Sequence, residues 1–369
     1  MATITKQIDV RDSENKDQGF DEMEMNEMVS LTMNTTDIAA EEYRLRGATM
    51  DDVVPAFELF DTCSKHMIGK SETTLSHVQT EWTSPGFDLA NSVRVVETLD
   101  GKIVGYVEVW DIEEPPVNLW IWGRVHPDHE GRGIGTKLMS WAEKRARQAI
   151  KRAPNGAKVV MRSGTFSHYD PAHDLLSGVG MNFIRHFLTM AIEFDEEPET
   201  PTWPTGILVR SMEGEEELEA VVRAVREAFR DHWGYLETSF EQEFDQWLHF
   251  NRNDAEYDPT LWFLAMDGEE IAGISLCRLK SDEDPDMGWV NVLGVIRPWR
   301  RKGLGLALLH HSFGELKRRG QSSAGLGVDA SSLTGATGLY EKAGMHSIRQ
   351  FDLYEKELRP GRDLTKRSI

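Results

Sequence analysis

Apolar residues along this chain recur in two rhythms, every second residue and every third or fourth, and the order in which those rhythms follow one another occurs twice. From Tyr43 the stretch YRLRG predicts a strand, and DDVVPAFELF a helix whose first turn carries Asp51 and Asp52, where a helix dipole favours acids. SVRVVETLDGKIVGYVEVW alternates on both sides of Asp100-Gly101, a pair suited to the positive φ of a tight hairpin. NLWIWGRVHP then predicts a strand, EGRGIGTKLMSWAEKRARQAI a helix, AKVVMRS a strand and, after a broken segment ending in GVGMNF, RHFLTMAIEF a final strand.

The acidic, proline-rich DEEPETPTWPTG interrupts this pattern, after which the order begins again with ILVRSMEGEEELEAVVRAVREAF and a second hairpin at Asp267-Gly268. Arg46 and Arg210 stand 164 apart, Asp100 and Asp267 167, Gly133 and Gly303 170, and Met181 and Met345 164. An offset that drifts at loops and returns to its starting value is the mark of a duplicated unit. The expected fold class is therefore mixed α/β (α+β), with two tandem domains at 43–195 and 207–360, each a largely antiparallel sheet flanked by helices. A linker at 196–206 joins them, an acidic tail over 1–42 with no apolar periodicity is expected to be disordered, and 361–369 forms a short tail.

A length of 369 residues accommodates two full cores. The net charge of −21 repels nucleic acid and anionic membranes; it suits a cationic substrate such as an amine and equally keeps a protein in solution. Cys63 and Cys277 are too few and too far apart for a disulfide framework or a metal cluster. The start lacks the basic and apolar regions of a signal peptide, and no apolar run approaches the roughly 20 residues of a membrane helix. A cytoplasmic monomer or homodimer without metal, nucleic-acid or membrane partners is expected.

The most informative stretch is VNVLGVIRPWRRKGLGLALL at 290–309. A β-branched strand closes at Pro298, and from Leu304 the residues Leu306, Leu309, Phe313 and Leu316 recur at helical spacing. Gly303 and Gly305 thus sit at a helix N-terminus, where backbone N–H groups lack partners, the dipole is positive, and three cations, Arg300, Arg301 and Lys302, stand beside them. This reads as a pyrophosphate cradle. It is neither the GxxxxGK[ST] loop of nucleotide triphosphatases nor the GxGxxG fingerprint of dinucleotide-binding folds, since Leu308 occupies the third glycine position.

The remaining pattern, RxxGxG after an LGV strand end, resembles motif A of the GNAT acetyltransferase superfamily. The resemblance implies acetyl-CoA as acyl donor, held by Leu293, Val295, Arg300, Arg301, Lys302, Gly303, Leu304 and Gly305, and a small-molecule amine as acceptor. Leu339-Tyr340-Glu341-Lys342-Ala343-Gly344-Met345 resembles the family's LYxxxGF with methionine in the last place, and implies Tyr340 as the group that protonates or hydrogen-bonds the departing thiolate. A phenol of pKa about 10 can do so for a thiol of pKa about 8.5. The family's asparagine upstream of this tyrosine falls at Leu333 or Ser332. Many members carry a glutamate on the central strand, near Trp289 here, and none stands there. Candidates for the base are Asp231, His232, Glu237 and Asp245 in FRDHWGYLETSFEQEFDQW, a segment following the first helix of the second half.

The first half keeps Val125, Gly131, Arg132, Gly133 and Gly135, but Glu130 replaces the motif's arginine and Leu176 the tyrosine. We therefore expect its catalytic function to have degenerated, leaving a scaffold, a pocket wall or a CoA-binding relic. A worn first copy before an intact second, together with DHWG and TGATGLYEKAGM, resembles the mycothiol synthases, which acetylate the cysteinyl amine of a glycosylated inositol precursor. Aminoglycoside or polyamine acetylation, and non-catalytic acyl-CoA sensing, remain open at this point.

Overall fold

The structure is a computed structural model that describes residues 42–332 and 335–366. The acidic segment 1–41 and the asparagine-equivalent Leu333 lie outside the described residues. In the first half the elements are β1 (Tyr43–Gly47), α1 (Val53–Ile68), α2 (Leu75–Trp82), α3 (Leu89–Ser92), β2 (Val93–Thr98), β3 (Ile103–Trp110), β4 (Asn118–Val125), α4 (Ile134–Ala146), β5 (Val159–Phe166), α5 (Asp170–Gly178) and β6 (Asn182–Glu193). The second half repeats the order with β7 (Ile207–Ser211), α6 (Leu218–Phe229), α7 (Phe240–Asn253), β8 (Trp262–Asp267), β9 (Glu270–Arg278), β10 (Met287–Val295), α8 (Leu304–Arg318), β11 (Ser323–Asp329), α9 (Ala336–Lys342) and β12 (His346–Arg359). Both expected hairpins form, with Gly101 at φ 87° and Gly268 at φ 61°. The mixed α/β reading is borne out.

The strands join one sheet in the order β1-β2-β3-β4-β5-β12-β6-β11-β10-β9-β8-β7. The two final strands are thus exchanged. β12, last in the chain, pairs with β5 of the first half, while β6 pairs with β11 of the second. A side chain at Gly164 would sit 2.3 Å from the Phe351 ring, so the close β5–β12 approach requires glycine there. Neither half closes its sheet alone, and Tyr43–Ile369 clusters as one compact unit. The segment after β12 also ties the halves together: the Arg362 N–H donates to Gly156 (2.7 Å) and the Lys366 N–H to Tyr235 (2.9 Å).

Side-chain alternation along each strand sends residues to opposite faces of the sheet. On β8, Phe263 and Ala265 pack with Leu304, Leu308 and Phe313 of α8, whereas Trp262 and Leu264 pack with Leu218, Val221 and Val222 of α6. The first half repeats this, with α4 on one face and α1 and α2 on the other.

All neighbouring strands are antiparallel except two pairs, and those two create the clefts. β4 pairs β5 in parallel only at Asn118–Trp120 with Val160–Arg162, and β10 pairs β11 only at Met287–Trp289 with Ser323–Gly325. Beyond these positions the strands part and leave facing polar edges. In β10 the divergence coincides with a bulge: Val290 pairs Cys277 and Val292 pairs Leu276, which leaves Asn291 as an extra residue. β4 has no bulge in its pairing with β3.

Candidate active site

The loop between β10 and α8 has the geometry of an anion cradle. Gly303 caps the helix at φ 85°, with open space where a side chain would stand. Arg301 has φ 61°, alone among the described non-glycine residues in adopting a positive φ. That region disfavours side-chain-bearing residues and is found mainly where surrounding structure enforces it. Among the described residues no acceptor takes a hydrogen bond from the backbone N–H groups of 301–306, and neither Arg301 nor Lys302 has an ion-pair partner. The set of free amides, helix N-terminus and two unpaired cations fits a pyrophosphate.

Arg300 does something else. Its Nε donates to the Val295 carbonyl (2.9 Å), Nη2 to the Ala228 carbonyl (2.9 Å) and Nη1 to Asp231 (2.7 Å). It ties the loop to α6 rather than facing a ligand. Asp231 receives Arg297 as well and its side chain is only 3% exposed. The hydrogen bonds from Arg297, opposed by burial and reinforced by Arg300, hold its pKa down to about 2. A carboxylate so stabilised is a poor proton acceptor, so Asp231 is a structural counter-ion and drops out as the base. Glu237 also falls away from the cleft, 64% exposed and paired with Arg226 (3.1 Å).

His232 is the sequence candidate that meets Tyr340. Both line a cavity of about 360 Å³ at the parting of β10 and β11, with Leu293, Asn291, Leu326 and Trp233. Burial, with help from Arg300, lowers the His232 pKa, which favours the neutral imidazole that can accept a proton. Tyr340 is 7% exposed, packed in the core of the second half, and burial raises its pKa to about 12. Its hydroxyl has no hydrogen-bond partner among the described residues. The phenol therefore stays protonated at all ordinary pH and is available as a donor.

The wall opposite α9 comes from the exchanged strands: Phe187 and Thr189 of β6 and Phe351 of β12 complete the cavity. Trp233 is packed beneath two arginines from the first half, Arg185 (4.4 Å) and Arg162 (4.8 Å). The DHWG segment is thus a junction between the halves as well as one edge of the site.

A larger chamber of about 540 Å³ adjoins this cavity at Asn291, which lines both. Its walls come from α7, from β9 and β10, and from Glu72, His77 and Thr80 at α2 in the first half. Five carboxylates face it, and each has a cation: Glu72 with Arg124, Glu243 with Arg226 (2.6 Å), Asp254 and Asp282 with Arg278 (3.1 and 3.2 Å), and Glu283 with Arg349. Such walls are polar without strong net charge. Sequence patterning could not reveal this chamber, because helices more than 150 residues apart form it.

The first half has its own cleft of about 450 Å³, lined by Val125, Gly131, Gly133, Gly135, Tyr169 and Leu176. Gly131 (φ 70°) and Gly133 (φ 76°) reproduce the bend of Arg301 and Gly303, and the N–H groups of 131–136 likewise find no acceptor among the described residues. Glu130 accepts a short hydrogen bond from Tyr169, and the Arg132 Nη1 donates to the Tyr43 hydroxyl (3.1 Å). Leu176 is buried where Tyr340 stands in the second half.

No helix among the described residues is long and apolar enough to cross a membrane. Among them, too, no group of His, Cys, Asp or Glu could hold a metal ion.

Two strand pairs that part within one sheet, each beside a glycine-rich helix start and followed by a helix lining the cleft, define an acetyltransferase-type fold. The sequence profile described as Acetyltransferase (GNAT) family matches residues 56–180 and 219–345, and the chain belongs to that family. It is an acetyltransferase with two tandem GNAT units. It is 28% identical over 261 residues to the mycothiol acetyltransferase of Streptomyces scabiei, covering 69% of this chain and 77% of that one. The mycothiol acetyltransferase of Corynebacterium efficiens is 28% identical over 274 residues, covering 70% and 79%. Among solved structures, a GCN5-related N-acetyltransferase from Sphaerobacter thermophilus superposes with a TM-score of 0.70 at 33% identity over 87% of this chain and 98% of its own. A tandem GNAT protein from the clavulanic acid biosynthesis pathway shares the fold, with a TM-score of 0.65 at 15% identity over 87% of this chain and 100% of its own.

Proposed function

We propose that the second half transfers an acetyl group from acetyl-CoA to a primary amine of a small, polar molecule by direct attack of the amine on the thioester. The observation that carries this is that Tyr340, a buried phenol with no hydrogen-bond partner among the described residues, and His232, whose pKa burial lowers, line one cavity next to an open anion cradle. Backbone amides 301–306, with Arg301 and Lys302, would hold the pyrophosphate, and the facing edges of β10 and β11 would align the arm that carries the thioester. Acetyl-CoA supplies the activated acyl group.

His232 accepts the proton that the attacking amine must lose. Tyr340 donates to the departing sulfur. With a phenol pKa near 12, full transfer to a thiolate whose conjugate acid ionises near 8.5 is uphill, so its contribution is a charge-assisted hydrogen bond. The acceptor reaches Asn291 through the larger chamber, so the first half supplies part of the acceptor wall.

Because the chamber's carboxylates are already paired, it suits a hydroxyl-rich acceptor better than a polycation. The relatives named mycothiol acetyltransferase point the same way, toward a cysteinyl glycoside. The test is thiol release from acetyl-CoA over cysteinyl glycosides, aminoglycosides, polyamines and amino acids, with Tyr340→Phe alongside. Release with a cysteinyl glycoside that falls sharply in the variant is the expected result. Polyamine turnover that outpaces the glycoside would overturn the acceptor assignment, and unchanged rates in Tyr340→Phe the assignment of the site.

A further inference from the structure

A second cavity, of about 470 Å³, lies in the first half between β3, β4 and α2, and the acetyl-transfer reading does not use it. Its walls include Trp110, Trp120, Trp122 and Phe60, with Glu81 and Glu108 among them. Cross-strand pairing puts these groups side by side: Trp110 stands opposite Trp120, and Glu108 opposite Trp122. Such pairs lie on one face of the sheet, so three indoles and a carboxylate form a contiguous patch.

Glu108 is 6% exposed and has no Lys, Arg or His at ion-pair distance among the described residues. The Tyr106 hydroxyl donates to its Oε2 at 2.5 Å, and Trp82 Nε1 in turn donates to Tyr106 (3.0 Å). Arg124, the nearest available guanidinium, is taken by Glu72 and lies over the Trp122 ring (4.2 Å). Among the described residues Glu81 has only His77 as an ion-pair partner, at 3.4 Å. Burial and the neighbouring Glu81 push the Glu108 carboxyl up to about 8. A buried acid with no counter-ion is costly, and the larger chamber next door shows how this protein otherwise treats its carboxylates, pairing every one.

The second half did not inherit the arrangement. The bulge-corrected pairing places Leu276 at the position of Glu108, Arg278 at that of Trp110 and Val292 at that of Trp122. Trp289 keeps the position of Trp120, so what is particular to the first half is Glu108 together with Trp110 and Trp122, a set the fold does not require.

We propose that this cavity is a binding site for an organic ammonium cation, which Glu108 and Glu81 neutralise and Trp120 contacts through its π face, while Trp110, stacked on Phe87 (4.3 Å), and Trp122, beneath Arg124 (4.2 Å), close the walls. Rings of this kind attract alkylammonium groups, and the attraction strengthens when the cation is desolvated. A hard divalent ion would want six or more oxygen ligands, which the lining does not supply. An anion would meet three carboxylates, Glu72, Glu81 and Glu108. Glu72, His77 and Phe250 line this cavity and the larger chamber alike, so a bound cation would sit beside the acceptor chamber.

The test is calorimetric titration of the full chain, without acetyl-CoA, using choline and its uncharged isostere 3,3-dimethylbutan-1-ol. Choline should bind saturably, and the isostere about tenfold or more weakly. Glu108→Gln and Trp120→Leu should each weaken choline about tenfold, while Gln246→Ala, in the larger chamber, should leave it unchanged. Trp120 is only partly buried, so its variant remains informative if Glu108→Gln fails to fold. Equal binding of the two probes, no saturable binding, or loss of choline in Gln246→Ala alone would overturn the assignment. None of these outcomes depends on turnover, so the site can fail while the acetyl-transfer reading stands, and the reverse.

Discussion

The two halves share a backbone and differ in chemistry. Gly133 and Gly303 cap equivalent helices at φ 76° and 85°, and the amides after each are equally free. Yet the second loop carries Arg300, Arg301 and Lys302, whereas the first carries Glu130, Gly131 and Arg132. Helix α9 presents Tyr340 where α5 presents Leu176. The lesson concerns what keeps a motif in place. A side chain at Gly135 would lie 2.9 Å from Leu175, and one at Gly305 would lie 3.3 Å from Leu339, so these glycines serve helix packing whether or not a ligand binds. A glycine signature can outlast the activity it once served. The unpaired cations beside it, Arg301 and Lys302, have no such packing reason to stay.

The comparison can be broken most directly at the tyrosine. Tyr340→Phe should lower kcat by about 100-fold or more while leaving acetyl-CoA affinity within about twofold, as expected for a donor that acts as the sulfur departs. Leu176→Ala should leave kcat unchanged if the first half is inert; loss of turnover in a folded variant that still binds acetyl-CoA would refute its degeneracy.

A smaller effect is expected at Asp231, which locks the second loop through Arg297 and Arg300. Asp231→Ala should cost about 2 kcal/mol of stability, discounted because Arg297 is largely exposed, and denaturant unfolding measures it. The pKa of this carboxyl is lowered on folding, so its contribution is fully present above the unfolded value near 4. It should be lost as pH falls from there toward about 2. An acid unfolding profile without that dependence on Asp231 would remove the ion-pair lock.

At the cradle, Gly303→Val should weaken acetyl-CoA binding by about tenfold, because φ 85° is strained for a branched residue and the side chain enters open space facing the amides. Gly133→Val should leave the binding that supports turnover intact. The smallest change is Glu130→Gln. Removing an acid about 6 Å from a pyrophosphate is worth about 0.7 kcal/mol at a water-like dielectric, so any acetyl-CoA binding in the first half should tighten about threefold. Competition calorimetry that finds no change would show that Glu130, engaged by Tyr169, does not face the ligand.

Much of this was legible in one dimension. Hairpins at Asp100-Gly101 and Asp267-Gly268, the duplicated order of elements and the glycine loops all follow from local rules of turn chemistry and periodicity. Even the offset drift has a local cause in part: the step from 169 at Trp120 and Trp289 to 170 at Trp122 and Val292 is the single extra residue of the Asn291 bulge. The candidate base was harder to read. Asp231 and His232 are adjacent, and nothing in their order says that one faces two arginines and the other the cavity that Tyr340 also lines.

The sequence by itself determined the repeated unit, its strand and helix order, the positive-φ turns and the residue types at the cradle, because each depends on neighbours a few positions away. Only the tertiary structure decided that the final strands change places, that Arg300 serves Asp231 and the loop's own carbonyl, and that α2 of one half walls the chamber of the other. Those outcomes depend on which of two nearly equivalent sheet edges a strand meets, and on counter-ions brought together from distant segments. No periodicity encodes either.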